Sequence, residues 1–143
     1  MINKIHVFKE AAQNYFQEII EIRRQLHQYP ELSFKEFKTS AFIETKLREY
    51  GIPIKKPVAG TGLAGILKGE NPEKKLLAVR ADMDGLPILE KTGLSYKSKN
   101  HGVMHACGHD IHMASLLGAA KILKNFSDAW EGTILLMFQR GEE

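Results

Sequence analysis

The segment KKLLAVRADMDG, residues 74–85, carries the pattern that decides the fold. Its centre, from Leu76 to Val79, is uninterrupted apolar sequence, which is typical of a strand covered on both faces rather than of a surface hairpin. Two acids, Asp82 and Asp84, follow this strand directly. Open α/β sheets bind their ligands at the carboxyl ends of strands, so the segment predicts both a buried strand and a functional site.

Two other polar clusters occupy comparable places in the chain. MHACGHD, residues 104–110, precedes a run of small and apolar residues with helical spacing that starts at about Asp110. RGEE, residues 140–143, directly follows the apolar run TILLMFQ, which predicts a second buried strand. All three clusters stand at strand carboxyl ends or at a helix N-terminus, so we expect the fold to bring them together.

The N-terminal part of the chain predicts two amphipathic helices. Apolar side chains recur at close to helical spacing: Phe8, Ala12, Tyr15, Ile19, Ile22 and Leu26 in the first helix, and Phe34, Phe37, Ala41, Ile43 and Leu47 in the second. Pro30 ends the first helix, and Gly51 with Pro53 ends the second. The segment SFKE predicts a capping box, in which Ser33 accepts from the helix start and Glu36 reaches back.

Strands and helices alternate along the rest of the chain. The apolar run LAGILKG is joined to the strand at Leu76 by the turn ENPE, whereas residues 85–104 carry few periodic apolar side chains and predict an irregular segment. This order of elements predicts an α/β fold. A chain of 143 residues, 43% of them hydrophobic, is enough for one ordinary core, so residues 1–143 are expected to form one unit.

Composition narrows the classes of partner. Lys plus Arg number 20 against 17 Asp plus Glu, a net charge of +3 without the basic stripe of a nucleic-acid-binding protein. No run approaches the roughly 20 apolar residues that span a bilayer, and the stretch MINKIHVFKEAAQNYFQEII lacks the apolar core of a signal peptide. A single cysteine forms no internal disulfide, which fits a reducing compartment. We expect a cytoplasmic protein that binds neither nucleic acid nor membrane.

Cys107 and His109 combine side chains that bind zinc and related ions, and the spacing C-x-H can present both from one turn. A helix N-terminus also favours the thiolate form of a cysteine. The alternatives are a small buried cysteine beside a capping histidine, or a cysteine nucleophile with His105 or His109 as its base. His112 can share a helical face with His109, and His105 can be a ligand, a substrate contact or a solvent-facing residue. His27, on the first helix, has the character of an ordinary surface or packing residue.

The acidic pairs complete a set of groups suited to hydrolysis. Asp82 and Asp84 alternate, so both point the same way in an extended segment, where they can bind a cation or orient a ligand histidine. Glu142 and Glu143 point in different directions, so one can hold a metal while the other faces a substrate. A divalent metal lowers the pKa of a bound water, and a nearby carboxylate takes its proton. Taken alone, the first pair is more often a solvated loop, and the second is equally compatible with a polar chain end.

Four segments, in this order along the chain, resemble the aminoacylase-like metallopeptidases: RRQLHQYPELSFKEFKT, RADMDGLP, MHACGHDIHMASLLGAA and FQRGEE. They match the amidohydrolase branch of that family, which includes hippurate hydrolase, N-acetyldiaminopimelate deacetylase and the plant auxin-conjugate hydrolases. The resemblance implies the N-terminal portion of a zinc-peptidase-like catalytic domain, a mixed sheet flanked by helices, with the lid or dimerisation domain absent. The chain departs from the family at Gly85, commonly alanine, and at Arg140-Gly141, commonly Pro-Ala or His-Ala.

The resemblance also implies roles for single residues. Cys107, His109 and Glu143 correspond to metal ligands. Glu142 corresponds to the general base that activates water and protonates the leaving amine, and Asp84 to the acid that orients a ligand imidazole. Asp82 is the weaker candidate for the same role, and His105 and His112 match family positions without being assigned as ligands. The implied cofactors are two divalent ions, drawn from zinc, manganese, cobalt and nickel.

The implied function is metal-dependent hydrolysis of the amide bond of small N-acyl amino acids or short peptides, with assembly into a homo-oligomer left open. Family members are far longer, and their remaining part would supply two further histidine ligands. A truncated, non-catalytic fragment is therefore the main alternative, and we expect the 143-residue chain alone to be inactive. A metal-independent cysteine hydrolase is a weaker alternative, because a thiol mechanism leaves the acids at 82–84 and 142–143 unexplained.

Overall fold

Within residues 4–143, which this computed structural model describes, the chain forms three α-helices, four strands and one short 3-10 turn. In chain order these are α1 (Lys4–Gln28), α2 (Phe37–Glu49), β1 (Ile54–Val58), β2 (Gly62–Lys68), β3 (Leu76–Asp82), α3 (His109–Asn125), the turn Ser127–Ala129 and β4 (Thr133–Gln139). No helix in this range has the length and apolar character needed to cross a membrane. The expectation that the chain starts without a signal peptide falls partly on residues 1–3, which lie outside the described residues.

The four strands form one mixed sheet in the order β1-β2-β4-β3, which confirms the expected fold class. β2 runs antiparallel to both β1 and β4. β3 runs parallel to β4 in continuous register, from Leu76 opposite Thr133 to Asp82 opposite Gln139. A parallel pair needs a crossover connection, and α3 lies in the connection between these two strands. As a result, β3 and β4 end at the same edge of the sheet.

The core lies between the sheet and the helices. It is one cluster of buried side chains that includes Leu63, Leu67, Leu136 and Phe138 from the sheet and Ile43, Leu47, Met113 and Leu117 from the helices. α3 lies close against α1 at Gly118, where an added Cβ would come within 3.0 Å of the Ile19 side chain. This close packing holds α3, and therefore the residues at its N-terminus, in a fixed place above the sheet edge.

The prediction that β3 is covered on both faces is wrong for the described chain. Leu76 is 71% exposed and Leu77 is 57% exposed, and only Ala81 and Asp82 at the end of the strand are buried. β3 is the last strand of the sheet and pairs with β4 alone among the described residues, which leaves its apolar side chains uncovered. β4 is also less buried than predicted, since Met137 is 38% exposed. β1 escaped prediction because its sequence, IKKPV, has no apolar run.

The connection between α1 and α2 also differs from the prediction. α2 begins at Phe37, and its N-cap residue, Glu36, makes no side-chain cap hydrogen bond, so the predicted capping box is wrong. Glu31 caps the helix instead: its carboxylate accepts from the backbone N–H groups of Lys38 at 3.2 Å and Thr39 at 2.8 Å. These N–H groups belong to the first helical turn, which has no partners within the helix. The side chains of the SFKE segment bind elsewhere in the fold.

We expect Glu31→Ala to lower the free energy of unfolding by about 1 kcal/mol, because it removes the acceptor for two N–H groups of the first turn of α2. Urea denaturation measures this change. Glu49→Ala is the matched control, since its carboxylate pairs with Lys46 on the surface at 2.8 Å. An exposed pair of this kind contributes less than about 0.5 kcal/mol. Equal losses in the two variants would contradict the assignment of Glu31 as the cap.

Candidate metal centre

Cys107, His109 and Glu143 come together at the edge of the sheet where β3 and β4 end. One potential ligand atom from each of these side chains lies within 4.8 Å of the other two. His109 is buried at the start of α3, whereas Cys107 and Glu143 are exposed. The three side chains therefore form an open group of sulfur, nitrogen and oxygen atoms with the composition of a divalent metal site.

His109 is oriented by Asp84. Its Nδ1 lies 2.9 Å from the backbone oxygen of Asp84 and 3.3 Å from the carboxylate Oδ1 of the same residue. A carbonyl oxygen only accepts, so Nδ1 carries a proton and donates it to that oxygen. In the neutral ring the lone pair is then on Nε2, which lies 3.8 Å from Glu142 and 3.9 Å from Glu143. The nitrogen that carries the lone pair therefore lies near both acids, and its tautomer is the one that a metal-binding imidazole requires.

Asp84 is a buried acid that stays ionised. Its Oδ2 accepts from the hydroxyl of Ser33 at 2.7 Å and from the backbone N–H of Glu143 at 2.9 Å. Burial raises the pKa of Asp84, but these hydrogen bonds and the neighbouring His109 outweigh burial, so that the pKa lies below its ordinary value. Asp84 therefore connects His109 to the segment that carries the two glutamates.

The pKa of the Cys107 thiol lies above its ordinary value. The main cause is a hydrogen bond with the Glu143 carboxylate, and the negative charges of Glu143, Glu142 and Asp84 also oppose a thiolate. The expectation that the helix N-terminus favours the thiolate is therefore wrong here, because the carboxylates outweigh the helix dipole. A nucleophilic cysteine needs a lowered pKa and a base that takes its proton. This environment counts against the cysteine hydrolase alternative.

Asp82 and Asp84 both face the first turn of α3, as their alternation predicts. Asp82 Oδ2 lies 3.8 Å from Nδ1 of His112, and the other oxygen of Asp82 pairs with Arg80 at 3.1 Å. Asp82, His109 and His112 form a second group whose ligand atoms lie within 4.8 Å of one another. Because Arg80 already neutralises Asp82, and because both groups share His109, the group described above is the stronger candidate for a metal ion.

His105 lies buried beside this site, with 4% of its surface exposed. Neither of its ring nitrogens has a hydrogen-bond partner among the described residues. Burial is the main cause that lowers the pKa of His105 to about 4. The solvent-facing alternative is therefore wrong, and the ring is neutral at physiological pH.

His27 is the centre of a buried ionic network rather than an ordinary helix residue. Its Nδ1 lies 2.8 Å from Asp110, and its Nε2 lies 3.1 Å from Glu90. Arg23 donates to the same Asp110 oxygen at 2.7 Å. The network joins α1 to the first turn of α3 and to the irregular segment 85–104. Sequence reasoning missed it because the partners of His27 lie 83 and 63 residues away along the chain.

Part of the chain that carries this site is similar to a known protein family. Residues 78–143 match the model of peptidase family M20/M25/M40. Over these residues the chain is similar to the M20 peptidases. It is 55% identical over 126 residues to the N-acetyl-L-cysteine deacetylase of Bacillus subtilis, an alignment that covers 88% of this chain and 30% of the relative. It is 48% identical over 126 residues to the hippurate hydrolase of Campylobacter jejuni, covering 88% of this chain and 32% of that protein.

A solved structure of an M20 protein shares the fold. The YXEP protein of Bacillus subtilis, described as a dinuclear metal binding peptidase, superposes with a TM-score of 0.84 at 42% identity. The match covers 90% of this chain and 36% of that one. The chain spans about 30% of the length of the curated relatives it matches.

We expect Glu143→Gln to speed the alkylation of Cys107 several-fold near neutral pH in chelator-treated protein. The substitution removes the carboxylate that raises the pKa of the thiol, so a larger fraction is thiolate at a given pH. Iodoacetamide labelling over a pH series, read by mass spectrometry, should show the midpoint moving to lower pH. Glu131→Gln removes a surface acid that pairs with Lys74 and should leave the rate unchanged. Identical rates in Glu143→Gln and the unsubstituted protein would refute the assigned cause.

Proposed function

We propose that residues 1–143 are the N-terminal portion of the catalytic domain of a metal-dependent amidohydrolase that cleaves N-acyl amino acids or short peptides. The observation that carries the proposal is the convergence of Cys107, His109 and Glu143 beside Glu142 at the carboxyl edge of the sheet. Two named relatives, an N-acetyl-L-cysteine deacetylase and a hippurate hydrolase, support an acylated amino acid as the substrate.

The donor atoms fit a divalent transition metal. A thiolate, an imidazole and a carboxylate are ligands of zinc, and the mixture also accommodates manganese, cobalt or nickel. We assign Cys107, His109 and Glu143 to the first of two ions, a number supported by the structural relative that is described as dinuclear. The further ligands of these two ions would come from outside residues 1–143. When bound, such ions polarise the amide carbonyl and lower the pKa of a water molecule.

Glu142 is assigned as the general base. Its side chain is 39% exposed, and its carboxylate lies 3.8 Å from Nε2 of His109, next to the ligand group. Glu142 takes a proton from the attacking water and returns it to the departing amine. The water oxygen bonds to the carbonyl carbon, the C–N bond breaks, and the products are a carboxylate and an amine.

Glu143 is assigned as a ligand rather than a second base. Its backbone N–H is held by Asp84 at 2.9 Å, and its carboxylate is hydrogen-bonded to the thiol of Cys107. Because successive side chains diverge from an extended backbone, Glu142 remains on the open side. Asp84 has a positioning role: its backbone oxygen accepts from Nδ1 of His109, and its carboxylate accepts from the N–H of Glu143, so one residue places two of the three ligands.

Substitution of the two glutamates separates their roles. In the full-length protein we expect Glu142→Gln to keep its metal and to lose turnover by about 10²–10⁴-fold, because only proton transfer is removed. Glu143→Gln should instead lower the metal content, because a neutral amide is a poorer ligand than a carboxylate. Elemental analysis and initial rates measure the two effects. Metal loss in Glu142→Gln, combined with intact metal in Glu143→Gln, would mean that the roles are reversed.

The reaction itself is tested with the full-length protein and a panel of N-acyl amino acids. We expect turnover that a chelator abolishes and that zinc or manganese restores. The 143-residue chain alone offers three proposed ligands to one ion, so it should be weakly metallated and inactive. Activity that resists chelation, in protein without metal above background, would rule out the proposed function. Chelator-sensitive turnover by the 143-residue chain would instead show that this part is sufficient.

A further inference from the structure

Glu36 is a buried carboxylate that holds three segments of the chain together. It is 0% exposed. Its Oε1 accepts from the backbone N–H groups of Phe34 at 3.0 Å and Gly141 at 2.8 Å. Its Oε2 accepts from the hydroxyl of Thr61 at 2.7 Å. The donors lie in the α1–α2 connection, at the tip between β1 and β2, and in the segment that follows β4.

Local helix structure does not explain the burial of Glu36. Burying a carboxylate is unfavourable unless hydrogen-bond donors replace its water. A residue at the start of α2 could stay in water, and two N–H groups of the first turn of that helix are already bound by Glu31. Two of the three donors around Glu36, Thr61 and Gly141, come instead from distant parts of the chain. The hydrogen bond from Gly141 is the contact that ties Glu36 to the segment after β4.

The segment 140–143 lies beyond the ladder of the sheet, so side chains have to place it. The pairing of β3 with β4 ends at Asp82 opposite Gln139, and the backbone oxygen of Gln139 accepts from Met83 at 2.9 Å. Strand pairing continues no further along this segment in the described chain. A backbone N–H that is outside a ladder needs another acceptor to fix its position.

Two buried carboxylates supply those acceptors on either side of Glu142. Glu36 accepts from the N–H of Gly141, and Asp84 accepts from the N–H of Glu143. Glu142 lies between these two held residues, so its backbone is fixed from both sides. The two residues differ in their other contacts: the backbone oxygen of Asp84 also accepts from the proposed ligand His109, whereas the carboxylate of Glu36 binds Phe34, Thr61 and Gly141.

The turn at Phe34 fits closely against the same segment. Phe34 has a φ of 65°, which is uncommon for a residue with a side chain. Its ring leaves no room for a larger residue at Gly141, where an added Cβ would come within 2.4 Å of the ring. The Arg140 guanidinium lies 4.9 Å from the centre of that ring. Such a conformation persists only where its surroundings hold it, and the bond from Phe34 N–H to Glu36 does so here.

We propose that Glu36 is a positioning residue for Glu142: by binding the N–H of Gly141, it sets the place from which the base acts. This inference rests on the proposed function. The hydrogen bond from Glu143 to Asp84 positions the metal ligands, and the hydrogen bond from Gly141 to Glu36 positions the base. Loss of the Glu36 contact should therefore lower kcat while metal binding remains.

Two substitutions in the full-length protein separate the reach of Glu36 from its charge. Glu36→Asp keeps the charge but is one methylene too short to hold Gly141. We expect its kcat to fall on the order of 10²-fold, with KM within about twofold, because misplacement of a catalytic group acts on the chemical step. Glu36→Gln keeps an oxygen that can accept from Phe34 and Gly141, and its amide N–H can donate to Thr61. We expect Glu36→Gln to retain most of the kcat.

Zinc affinity, measured by competition with a chromophoric chelator, is the readout that does not depend on turnover. We expect the affinity of Glu36→Asp to stay within about twofold of the unsubstituted protein, whereas Asp84→Asn should bind zinc more weakly. Glu31→Ala is the matched control for general destabilisation. Glu31 lies in the same α1–α2 connection as Glu36, but its carboxylate binds the start of α2 and not Gly141. The Glu31→Ala variant should therefore keep its kcat.

The outcomes divide cleanly. Unchanged kcat in Glu36→Asp overturns the inference, and a loss confined to Glu36→Gln would indicate a need for charge rather than reach. An equal fall in both variants also overturns it, because Glu36→Gln keeps the reach. A parallel fall in kcat and zinc affinity in Glu36→Asp also overturns it, since the role would then be structural. If the unsubstituted full-length protein shows neither zinc-dependent turnover nor zinc binding, it is the proposed function that fails.

Discussion

β3 and β4 run parallel with Asp82 opposite Gln139, and the chemistry of this molecule depends on that pairing. Parallel strands direct their carboxyl ends to one edge, so the acids that follow β3 and those that follow β4 meet there, although they lie far apart along the chain. The connection between the two strands contains α3, whose N-terminus returns to the same edge with Cys107 and His109. One strand pairing thus assembles all three polar clusters.

Crowding carboxylates at one edge is unfavourable, and for Asp84 and Glu36 the fold offsets it with hydrogen bonds. Asp84 is bound by Ser33 and by the backbone of Glu143, and Glu36 is bound by two backbone N–H groups and a hydroxyl. The remaining negative charge is concentrated around Cys107, where it raises the pKa of the thiol. A divalent cation relieves this repulsion and stabilises the thiolate at once, which is why the arrangement suits a metal ion better than a nucleophilic cysteine.

The SFKE segment shows how a local pattern can mislead. Its spacing fits a capping box, but Ser33 donates to Asp84, 51 residues away, and Glu36 accepts from Gly141, 105 residues away. Glu31 satisfies the helix instead, from outside the usual cap position. The same side chains can serve a helix end or a distant backbone group, and the tertiary fold selects the contact that satisfies the buried donors and acceptors.

Much of the architecture followed from local pattern, because apolar periodicity and turn residues act over a few neighbours. It predicted the three helices, the strands β2, β3 and β4, and the meeting of the clusters that contain Asp84, Cys107 and His109. The roles of these residues and of Glu142 and Glu143 stay predictions. Only the assembled fold could decide that β3 is exposed, that Glu143 raises the pKa of Cys107, and that Glu36 holds Gly141. Those properties depend on which distant groups share one sheet edge, and strand order, which is not a local property, decides that.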